Sequence, residues 1–415
     1  MSKNSLLYLI PIFVCIQPLS TRAGDWPQIL GPGRDGIAVG ETLLAAWPPN
    51  GPDQIWKSDV GQGFAGVAVK GDVVYLFHRK GNQEVVEARN VVTGDEIWVS
   101  LSECGYRGGI SGDAGPRCVP LATEDRVIIF GVEGTLRCLD ISTGKQIWTR
   151  DTLKDFGAPE GYFGAGSSPV VFRDRVIVNV GGRDNAAVVA FSIADGKTVW
   201  QSFADTASYS SPIIADINGT QHAIVVTRMN TVSLNPEDGS VRFQFPFGMR
   251  GPTVNGATPV VMGNQLFVTS SYRVGSMWAK ISDRASENVA SGEDLLASQY
   301  ATPIKYGNLL FAVDGRQDTG SATVKCLDPA GQKVLWAKGG FDYGTLVRVN
   351  DDLLFLTCEG ELIRFAADRE KYRELHRSTV LEPTPQGYRL PAMSNGRLFI
   401  CDDSVLKCLR IGEQK

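Results

Sequence analysis

The sequence predicts an all-β fold, an eight-bladed β-propeller whose blades are four-stranded antiparallel sheets. Glycine is abundant, with 46 residues among 415, and helix-forming runs are scarce, which is typical of short strands joined by tight turns. A short unit that ends in an aromatic residue recurs along the chain. Each repeat begins with a proline or aliphatic residue, and these starts lie 43 to 53 residues apart, close to the period of propeller blades.

The recurring aromatic unit has the form Thr-Gly-x-x-x-Trp or a close variant, as in the segments that end at Trp98 and Trp148. In each copy a small residue precedes the aromatic residue by ten positions. This spacing predicts a hairpin whose aromatic side chain packs over the neighbouring repeat. The aromatic residues given this docking role are Trp56, Trp98, Trp148, Trp200, Phe243 and Trp336; the small residues are Ala88, Cys138, Ala190, Ser233 and Cys326. The fifth repeat lacks its closing aromatic residue.

Each repeat opens with a proline or aliphatic residue followed by an alternating strand. The eight starts are Val67, Pro120, Pro169, Pro212, Pro259, Pro303, Leu346 and Pro391. Seven blades fit between Trp56 and about Ser378, and residues 379–411 hold too few strands for an eighth. We expect the strand around Trp56 to complete the last blade, so that both chain ends close the ring and protect its edges.

The first 23 residues are predicted to be a signal peptide, with Lys3, an apolar stretch and cleavage after Ala23. The apolar stretch is shorter than the roughly 20 residues of a membrane-spanning helix. We therefore expect a periplasmic or secreted protein without a transmembrane segment. Residues 24–53 are predicted to be an arm on the propeller surface, and residues 54–411 to be the propeller, present as a monomer.

Charge and cysteine content exclude further classes. The formal net charge of -4 offers no positive field for phosphates, so nucleic acid is not an expected partner. Without Cys15 of the signal peptide, seven of the eight cysteines remain, and an odd number excludes a complete disulfide framework. Cys138, Cys326 and Cys408 lie in matching contexts and are expected in the core. Cys104 and Cys118, which flank a glycine-rich loop, are the candidate disulfide.

The repeats resemble the tryptophan-docking repeats of pyrroloquinoline-quinone (PQQ) dehydrogenases and of BamB, a subunit of the outer-membrane β-barrel assembly machine. The sequence most closely resembles exported PQQ-like repeat proteins abundant in planctomycetes. The segments that carry this resemblance begin with Asp25-Trp26-Pro27-Gln28 and include Tyr300-Ala-Thr-Pro303, Lys325-Cys-Leu-Asp328 and Asn395-Gly-Arg-Leu-Phe399. The resemblance covers essentially the whole predicted mature chain. It implies fold and export, whereas one fold hosts many activities.

The resemblance implies two alternative functions, an enzyme and a scaffold. A dehydrogenase of this kind would hold PQQ and calcium at the propeller axis, and its relatives usually carry two adjacent cysteines under the quinone. This sequence has no adjacent cysteines, and no short segment supplies a set of calcium ligands. His78, His222 and His376 lie in separate repeats without zinc-ligand spacing, and we expect surface or edge positions for them.

We therefore predict no catalytic residue, no metal site and no cofactor. The favoured function is a non-catalytic exported scaffold that binds a protein or peptide, with partners in cell-envelope or outer-membrane protein assembly, as in BamB-like proteins. The alternative is a PQQ-dependent oxidoreductase that acts on alcohols or sugars, with PQQ and calcium as cofactors.

The candidate binding residues lie three positions before each blade start, where the innermost strands meet one rim of the central channel. The eight residues at these positions are Phe64, Arg117, Gly166, Tyr209, Gly256, Tyr300, Tyr343 and Tyr388. The six with side chains, Phe64, Arg117, Tyr209, Tyr300, Tyr343 and Tyr388, form the predicted axial ring. Tyrosine combines apolar area with a hydroxyl, which suits a concave binding site. The alternative is that these rings only seal the channel.

Overall fold

The computed structural model describes residues 24–414 except 111, 252, 254 and 384–388; the predicted signal peptide and Tyr388 lie outside the described residues. The described strands form eight four-stranded antiparallel sheets. In seven sheets the strands follow one another in the chain, whereas the eighth joins three C-terminal strands to a strand from near the N-terminus. The predicted eight-bladed propeller, closed by both chain ends, is therefore confirmed.

The strands are numbered in chain order. Strand β1 spans Asp53–Asp59. Blade 1 contains β2 (Val67–Lys70), β3 (Val73–Lys80), β4 (Gln83–Asn90) and β5 (Glu96–Glu103). Blade 2 contains β6 (Leu121–Ala122), β7 (Arg126–Phe130), β8 (Thr135–Asp140) and β9 (Gln146–Asp151), followed by helix α1 (Thr152–Phe156). Blade 3 contains β10 (Val170–Phe172), β11 (Arg175–Asn179), β12 (Val188–Ser192) and β13 (Thr198–Ser202). Blade 4 contains β14 (Ile213–Ile217), β15 (Thr220–Val226), β16 (Asn230–Leu234) and β17 (Val241–Pro246).

The remaining blades follow the same order. Blade 5 contains β18 (Val260–Met262), β19 (Gln265–Ser270), β20 (Gly275–Ile281) and β21 (Ser286–Gly292). Blade 6 contains β22 (Ile304–Tyr306), β23 (Leu309–Arg316), β24 (Ser321–Asp328) and β25 (Lys333–Phe341), with a 3-10 turn at Gln317–Thr319. Blade 7 contains β26 (Gly344–Val349), β27 (Asp352–Thr357), β28 (Glu361–Ala366) and β29 (Glu374–Thr379). Blade 8 contains β30 (Ala392–Ser394), β31 (Arg397–Cys401), β32 (Val405–Arg410) and β1.

The prolines at the sequence starts lie directly outside the sheets. In six blades the innermost strand begins one residue after the proline, as at Leu121 after Pro120. Proline has no N–H to give to a strand ladder, so a position just before the strand suits it. In blade 7, where Leu346 replaces the proline, the strand begins two residues earlier, at Gly344.

The aromatic unit pairs each large ring with a small residue on the adjacent strand. The pairs are Trp98 with Ala88, Trp148 with Cys138, Trp200 with Ala190, Phe243 with Ser233, Trp336 with Cys326 and Trp56 with Cys408. The small partner leaves room for the ring between two blades. The three cysteines of this set are fully buried, as expected.

The tryptophan side chains connect each blade to the next. Trp98 Nε1 donates to the carbonyl of Ile141 at 3.0 Å, and Trp148 Nε1 donates to the carbonyl of Ile193 at 2.9 Å. The ring also lies against the glycine of the next turn: a Cβ on Gly196, whose φ is +70°, would come within 2.7 Å of Trp148. Glycine is required there both by its positive φ and by the close approach of the indole.

Blade 5 keeps the large-to-small pairing with the two positions exchanged. Trp278 lies on β20, where other blades have the small residue, and its partner on β21 is Ala290. Trp278 is fully buried. The missing aromatic residue of this repeat is therefore replaced from the neighbouring strand, an exchange that the search for a closing aromatic residue missed.

The arm supplies a further tryptophan at the junction between blades 7 and 8. Trp47 Nε1 donates to the carbonyl of Ile411 at 3.0 Å, and Ile411 follows β32 just as Ile141 follows β8. The Trp47 ring packs edge-on against His376 of β29, with centroids 5.2 Å apart. Trp47 thus makes the same inter-blade contact as the tryptophans of the repeats, although it lies outside them in the sequence.

The rest of the arm crosses one end of the propeller. Trp26 pairs with Val69 of blade 1 through two backbone hydrogen bonds of 2.8 Å. Arg34 donates to the carbonyls of Ser168 and Pro169 before blade 3, both at 2.9 Å, and the Arg348 N–H of blade 7 donates to the carbonyl of Gly36 at 2.8 Å. Segment 24–36 therefore spans the channel from blade 1 to blade 7 and closes that end.

Replacement of Trp47 by alanine is expected to lower the free energy of unfolding by about 3 kcal/mol, because it removes a buried indole and its hydrogen bond between two blades. Chemical denaturation followed by tryptophan fluorescence measures the change. Val39→Ala, at an exposed arm position, is the matched control and should change stability by less than about 0.5 kcal/mol. An unaltered stability of Trp47→Ala would refute the docking role of the arm.

Candidate functional site: an axial cavity

A cavity of about 560 Å³ lies at the propeller axis, where residues from the inner rims of most blades meet. Six of the eight ring positions line this cavity: Phe64, Arg117, Gly166, Tyr209, Gly256 and Tyr300. Ile29 and Leu30 of the arm also line it and form its floor. Ile110, in the glycine-rich loop before blade 2, stands at the rim with 65% of its surface exposed. The cavity is thus closed by the arm at one end and accessible at the other.

Tyr343 does not line the cavity but supports a residue that does. It is fully buried, and its hydroxyl accepts hydrogen bonds from the backbone N–H groups of Tyr300 and Ala301, both at 2.9 Å. The Tyr300 and Tyr343 rings make an edge-to-face contact with centroids 4.8 Å apart. Burial raises the pKa of Tyr343 to about 12, so the hydroxyl remains neutral. Tyr343 therefore supports the position of Tyr300 at the cavity wall.

The two ring glycines make room for tyrosines of the following blade. A Cβ on Gly166 would come within 2.6 Å of the Tyr209 ring, and one on Gly256 within 2.7 Å of Tyr300 Cβ. The hydroxyl of Tyr209 accepts a hydrogen bond from the Phe163 N–H at 2.8 Å, which fixes the ring at the cavity wall. Glycine and tyrosine therefore alternate over blades 3 to 6 as close-packed pairs.

Hydroxyl side chains join the inner strands below the aromatic ring. Ser168 Oγ accepts from the Val119 N–H, Ser211 Oγ from the Ser168 N–H and Thr302 Oγ1 from the Thr258 N–H, each at 2.9 Å. These residues were not predicted from the sequence. The available signal was a serine or threonine directly before a start proline, as in Ser168-Pro169. These hydrogen bonds position the ring residues. They also engage the hydroxyl groups of Ser211 and Thr302, which line the cavity.

The guanidinium of Arg117 is neutralised within the wall. It lies 4.9 Å from the centre of the Phe64 ring and 3.7 Å from a carboxylate oxygen of Asp113, and it donates to the carbonyl of Gly115. Asp113 is fully buried and also accepts from the N–H groups of Gly63 and Gly115. Desolvation lowers the pKa of Arg117, and the nearby Asp113 charge opposes that shift. Arg117 thus holds the glycine-rich loop against blade 1.

The positive charge of a second cavity arginine, Arg316, is also compensated by a nearby carboxylate. It lies 4.1 Å above the centre of the Tyr272 ring, and its Nε donates to Asp318 at 2.9 Å. Gln299 donates to the Tyr272 hydroxyl at 2.8 Å and accepts from the Gln317 N–H at 2.9 Å. Both cavity arginines therefore have a carboxylate partner of their own.

The family model described as outer membrane protein assembly factor BamB matches residues 81–338, more than half of the chain. The chain belongs to this family. Its members share the PQQ-like β-propeller found here, so the predicted family resemblance is confirmed. The closer resemblance to planctomycete proteins stays a prediction.

Relatives of this BamB-type chain include an outer membrane protein assembly factor and an alcohol dehydrogenase. BamB of Burkholderia pseudomallei is 22% identical over 287 residues, which cover 59% of this chain and 72% of that protein. Quinohemoprotein alcohol dehydrogenase of Comamonas testosteroni is 28% identical over 217 residues, which cover 48% of this chain and 28% of the dehydrogenase. The chain thus spans little more than a quarter of that enzyme's length in the sequence match.

Solved structures agree on the fold alone. The crystal structure of the Comamonas testosteroni dehydrogenase superimposes with a TM-score of 0.69 at 14% identity, covering 95% of this chain and 82% of that chain. BamB from Moraxella catarrhalis gives a TM-score of 0.63 at 15% identity, covering 87% of this chain and all of that chain. In the described part of this BamB-type chain, no helix has the length and apolar character needed to cross a bilayer.

The cavity's donor set does not fit the calcium ion that the resemblance to dehydrogenases implied. Among the described lining residues Asp318 is the one carboxylate, and it is paired with Arg316. Calcium takes six to eight oxygen ligands, which this wall does not offer. Across the described residues, no three His, Cys, Asp or Glu side chains form a group that could hold a metal ion.

The cysteines are also unlike a redox site. All seven described cysteines are free and buried, so the expected disulfide between Cys104 and Cys118 is wrong. Each of the two sulfurs has its own partner: Cys104 Sγ accepts from Arg79 at 3.2 Å, and Cys118 Sγ accepts from the Phe130 N–H at 3.3 Å. Burial raises the pKa of Cys104 to about 11 and that of Cys118 to about 12, which leaves the thiols protonated and unreactive.

The histidines lie in blades 1, 4 and 7, far apart as predicted, but the expected surface or edge positions are wrong for two of them. His78 and His222 are fully buried. His78 Nδ1 accepts from the Gly61 N–H at 2.7 Å, so Nε2 carries the proton and donates to Glu87 at 3.1 Å. His222 Nδ1 lies 2.7 Å from the hydroxyl of Ser233. These histidines hold strands together inside separate blades.

Glu84 is a buried carboxylate between blades 1 and 2. It accepts a hydrogen bond from the Val132 N–H at 2.8 Å and is 3% exposed. Burial raises the pKa of Glu84 to about 7, and the Val132 hydrogen bond opposes part of that shift. Because the folded chain holds this proton more tightly than the unfolded chain, the resulting stability is complete below about pH 4.3 and is lost as the pH rises towards 7.

Glu84→Gln is expected to abolish this loss. Relative to the variant, the wild type should lose about 3 kcal/mol of unfolding free energy between pH 4 and pH 8. Urea denaturation at both pH values measures the difference. Glu124→Gln, at an exposed carboxylate of blade 2, is the control and should follow the wild type. Parallel pH profiles for the wild type and Glu84→Gln would contradict the assignment.

Proposed function

We propose that this chain is an exported, non-catalytic binding propeller that acts in cell-envelope assembly and that holds its partner at the axial cavity. The observation that carries the proposal is the convergence of six ring positions on one cavity. The ring residues come from blades spread over the whole sequence, and the arm closes the cavity at one end only.

The cavity favours binding over the alternative in which the rings only seal the channel. Rings that served only as a seal would pack together and leave little space. The volume of about 560 Å³ instead lies within the range of roughly 300–1,000 Å³ that is usual for ligand pockets. Tyr343 is buried as a support for Tyr300, whereas Phe64, Tyr209 and Tyr300 line the cavity. Support and binding are therefore divided among different members of the ring.

Membership of the BamB family supports a protein partner and a place in the envelope. The family match covers most of the repeats. The predicted signal peptide would export the chain to the cell envelope. The net charge of -4 argues against nucleic acid. The propeller closes with strands of a single chain, so a monomer suffices to form the site.

Similarity to a quinohemoprotein dehydrogenase favours the oxidoreductase as the second candidate function. We place it second because the charged side chains of the cavity already have partners. Asp318 is paired with Arg316, and Arg117 is paired with Asp113. In this proposal the chain carries neither PQQ nor calcium, and no step of a reaction is assigned to it.

Addition of PQQ and calcium to the purified chain is expected to leave no retained quinone absorbance band and no dye reduction with alcohols or sugars. The Comamonas testosteroni dehydrogenase, treated in the same way, is the positive control. A retained quinone together with substrate-dependent dye reduction would establish the oxidoreductase and overturn the scaffold.

Proximity labelling in the native envelope should enrich proteins of outer-membrane or envelope assembly around the tagged chain. The control is the same labelling enzyme exported with the signal peptide alone. Since Ile110 stands at the rim, Ile110→Gln should reduce the enrichment of a partner that uses the cavity, whereas Ile97→Gln, at an exposed site on the outer strand of blade 1, should not. If no envelope protein is enriched, the result would contradict the scaffold role.

A further inference from the structure

The charges and side chains of the axial cavity define what kind of group it can accept; this inference rests on the proposed binding function. The arginines of the wall are Arg117 and Arg316, and each is paired with an aspartate, Asp113 or Asp318. Arg117 is further held by two backbone carbonyls, those of Gly115 and Asp113. An anionic ligand would have to compete with these partners, so the arginines give it little net attraction.

Several other polar side chains of the wall are also engaged. Ser211 and Thr302 accept backbone hydrogen bonds from the preceding blades, and Gln299 bridges Tyr272 and Gln317. A charged group that entered the cavity would lose its water without gaining a free partner among these side chains, which is costly. The remaining surface is aromatic and aliphatic, and it extends to the exposed Ile110 at the rim.

The arm shows how a polypeptide occupies this channel. From the closed end it presents Ile29 and Leu30 to the cavity while its backbone is held by the blades around it. Arg34 fixes the arm on the far side through the carbonyls of Ser168 and Pro169. Aliphatic side chains on a turn of the arm therefore already line the closed end of the channel.

We infer that the open half of the cavity receives uncharged apolar side chains of a partner polypeptide, which pack on Leu30 and on the rings of Tyr209 and Tyr300. Such a partner enters from the end opposite the arm and covers Ile110. Specificity comes from apolar surface and from the exclusion of charge, because the wall's own ion pairs leave no charge to be matched.

Three synthetic peptides test the inference by isothermal titration calorimetry on the full mature chain: Ac-Gly-Leu-Phe-Leu-Gly-NH2 and its analogues with both leucines replaced by glutamate or by lysine. The neutral peptide should bind about tenfold more tightly than either charged one, since burial of an unpaired charge is costly. Ile110→Gln should weaken the neutral peptide about fivefold through lost apolar contact, with Ile97→Gln unchanged.

Asp318→Asn provides a second, independent readout. Asp318 is exposed enough for its replacement to leave the fold intact, and its loss frees the charge of Arg316. The variant should bind the glutamate peptide about tenfold more tightly than the wild type does. Asp195→Asn, which breaks an exposed pair with Lys197 in blade 3, is the control and should change nothing.

The outcomes separate this inference from the proposed function. Preference of the wild type for the glutamate or lysine peptide, or neutral binding that Ile110→Gln leaves unchanged, would overturn the inference while a binding function stands. If the neutral dye N-phenyl-1-naphthylamine binds while none of the three peptides does, the polypeptide is overturned as occupant and a small lipophilic ligand is indicated. Failure of the peptides and the dye alike would remove the axial cavity as a binding site, and with it the proposed function.

Discussion

The contact between a tryptophan and the turn of the next blade is the interaction on which this structure depends. A buried indole removes roughly 200 Å² from water, worth about 5 kcal/mol at 25 cal/mol per Å². Its N–H also satisfies a carbonyl at the end of the neighbouring hairpin, as from Trp98 to Ile141. Because the same contact recurs from blade to blade, it sets the spacing of the ring and the size of the opening at its axis.

The arm extends this principle beyond the repeats. Trp47 makes the docking contact between blades 7 and 8, next to the junction where both chain ends meet, and segment 24–36 closes one end of the channel. One segment therefore completes the ring and shapes the floor of the cavity. This explains why Trp26 and Leu30, which precede the propeller in the sequence, are as buried as its core residues.

The sequence predicted those parts of the fold that repeat, because a constant spacing reports a constant structure. The pairing of Trp148 with Cys138 and the completion of the last blade by the strand around Trp56 follow from such spacing. The exchange at Trp278 and the docking of Trp47 break the period, so the search for repeats missed them. Of the candidate site, the ring positions were predictable. The support of Tyr300 by Tyr343 and the pairing of each arginine with its aspartate depend on tertiary contacts that no spacing encodes.

Binding at the axis requires a cavity that is open at one end, has an apolar surface and is closed by the arm at the other end. A crystal of residues 24–415 soaked with iodobenzene tests this most directly, because the anomalous signal of iodine locates the bound ring. We predict an iodine peak inside the cavity, between Leu30 and the rings of Tyr209 and Tyr300. Ring side chains that fill the axis, with no iodine peak there, would contradict the account.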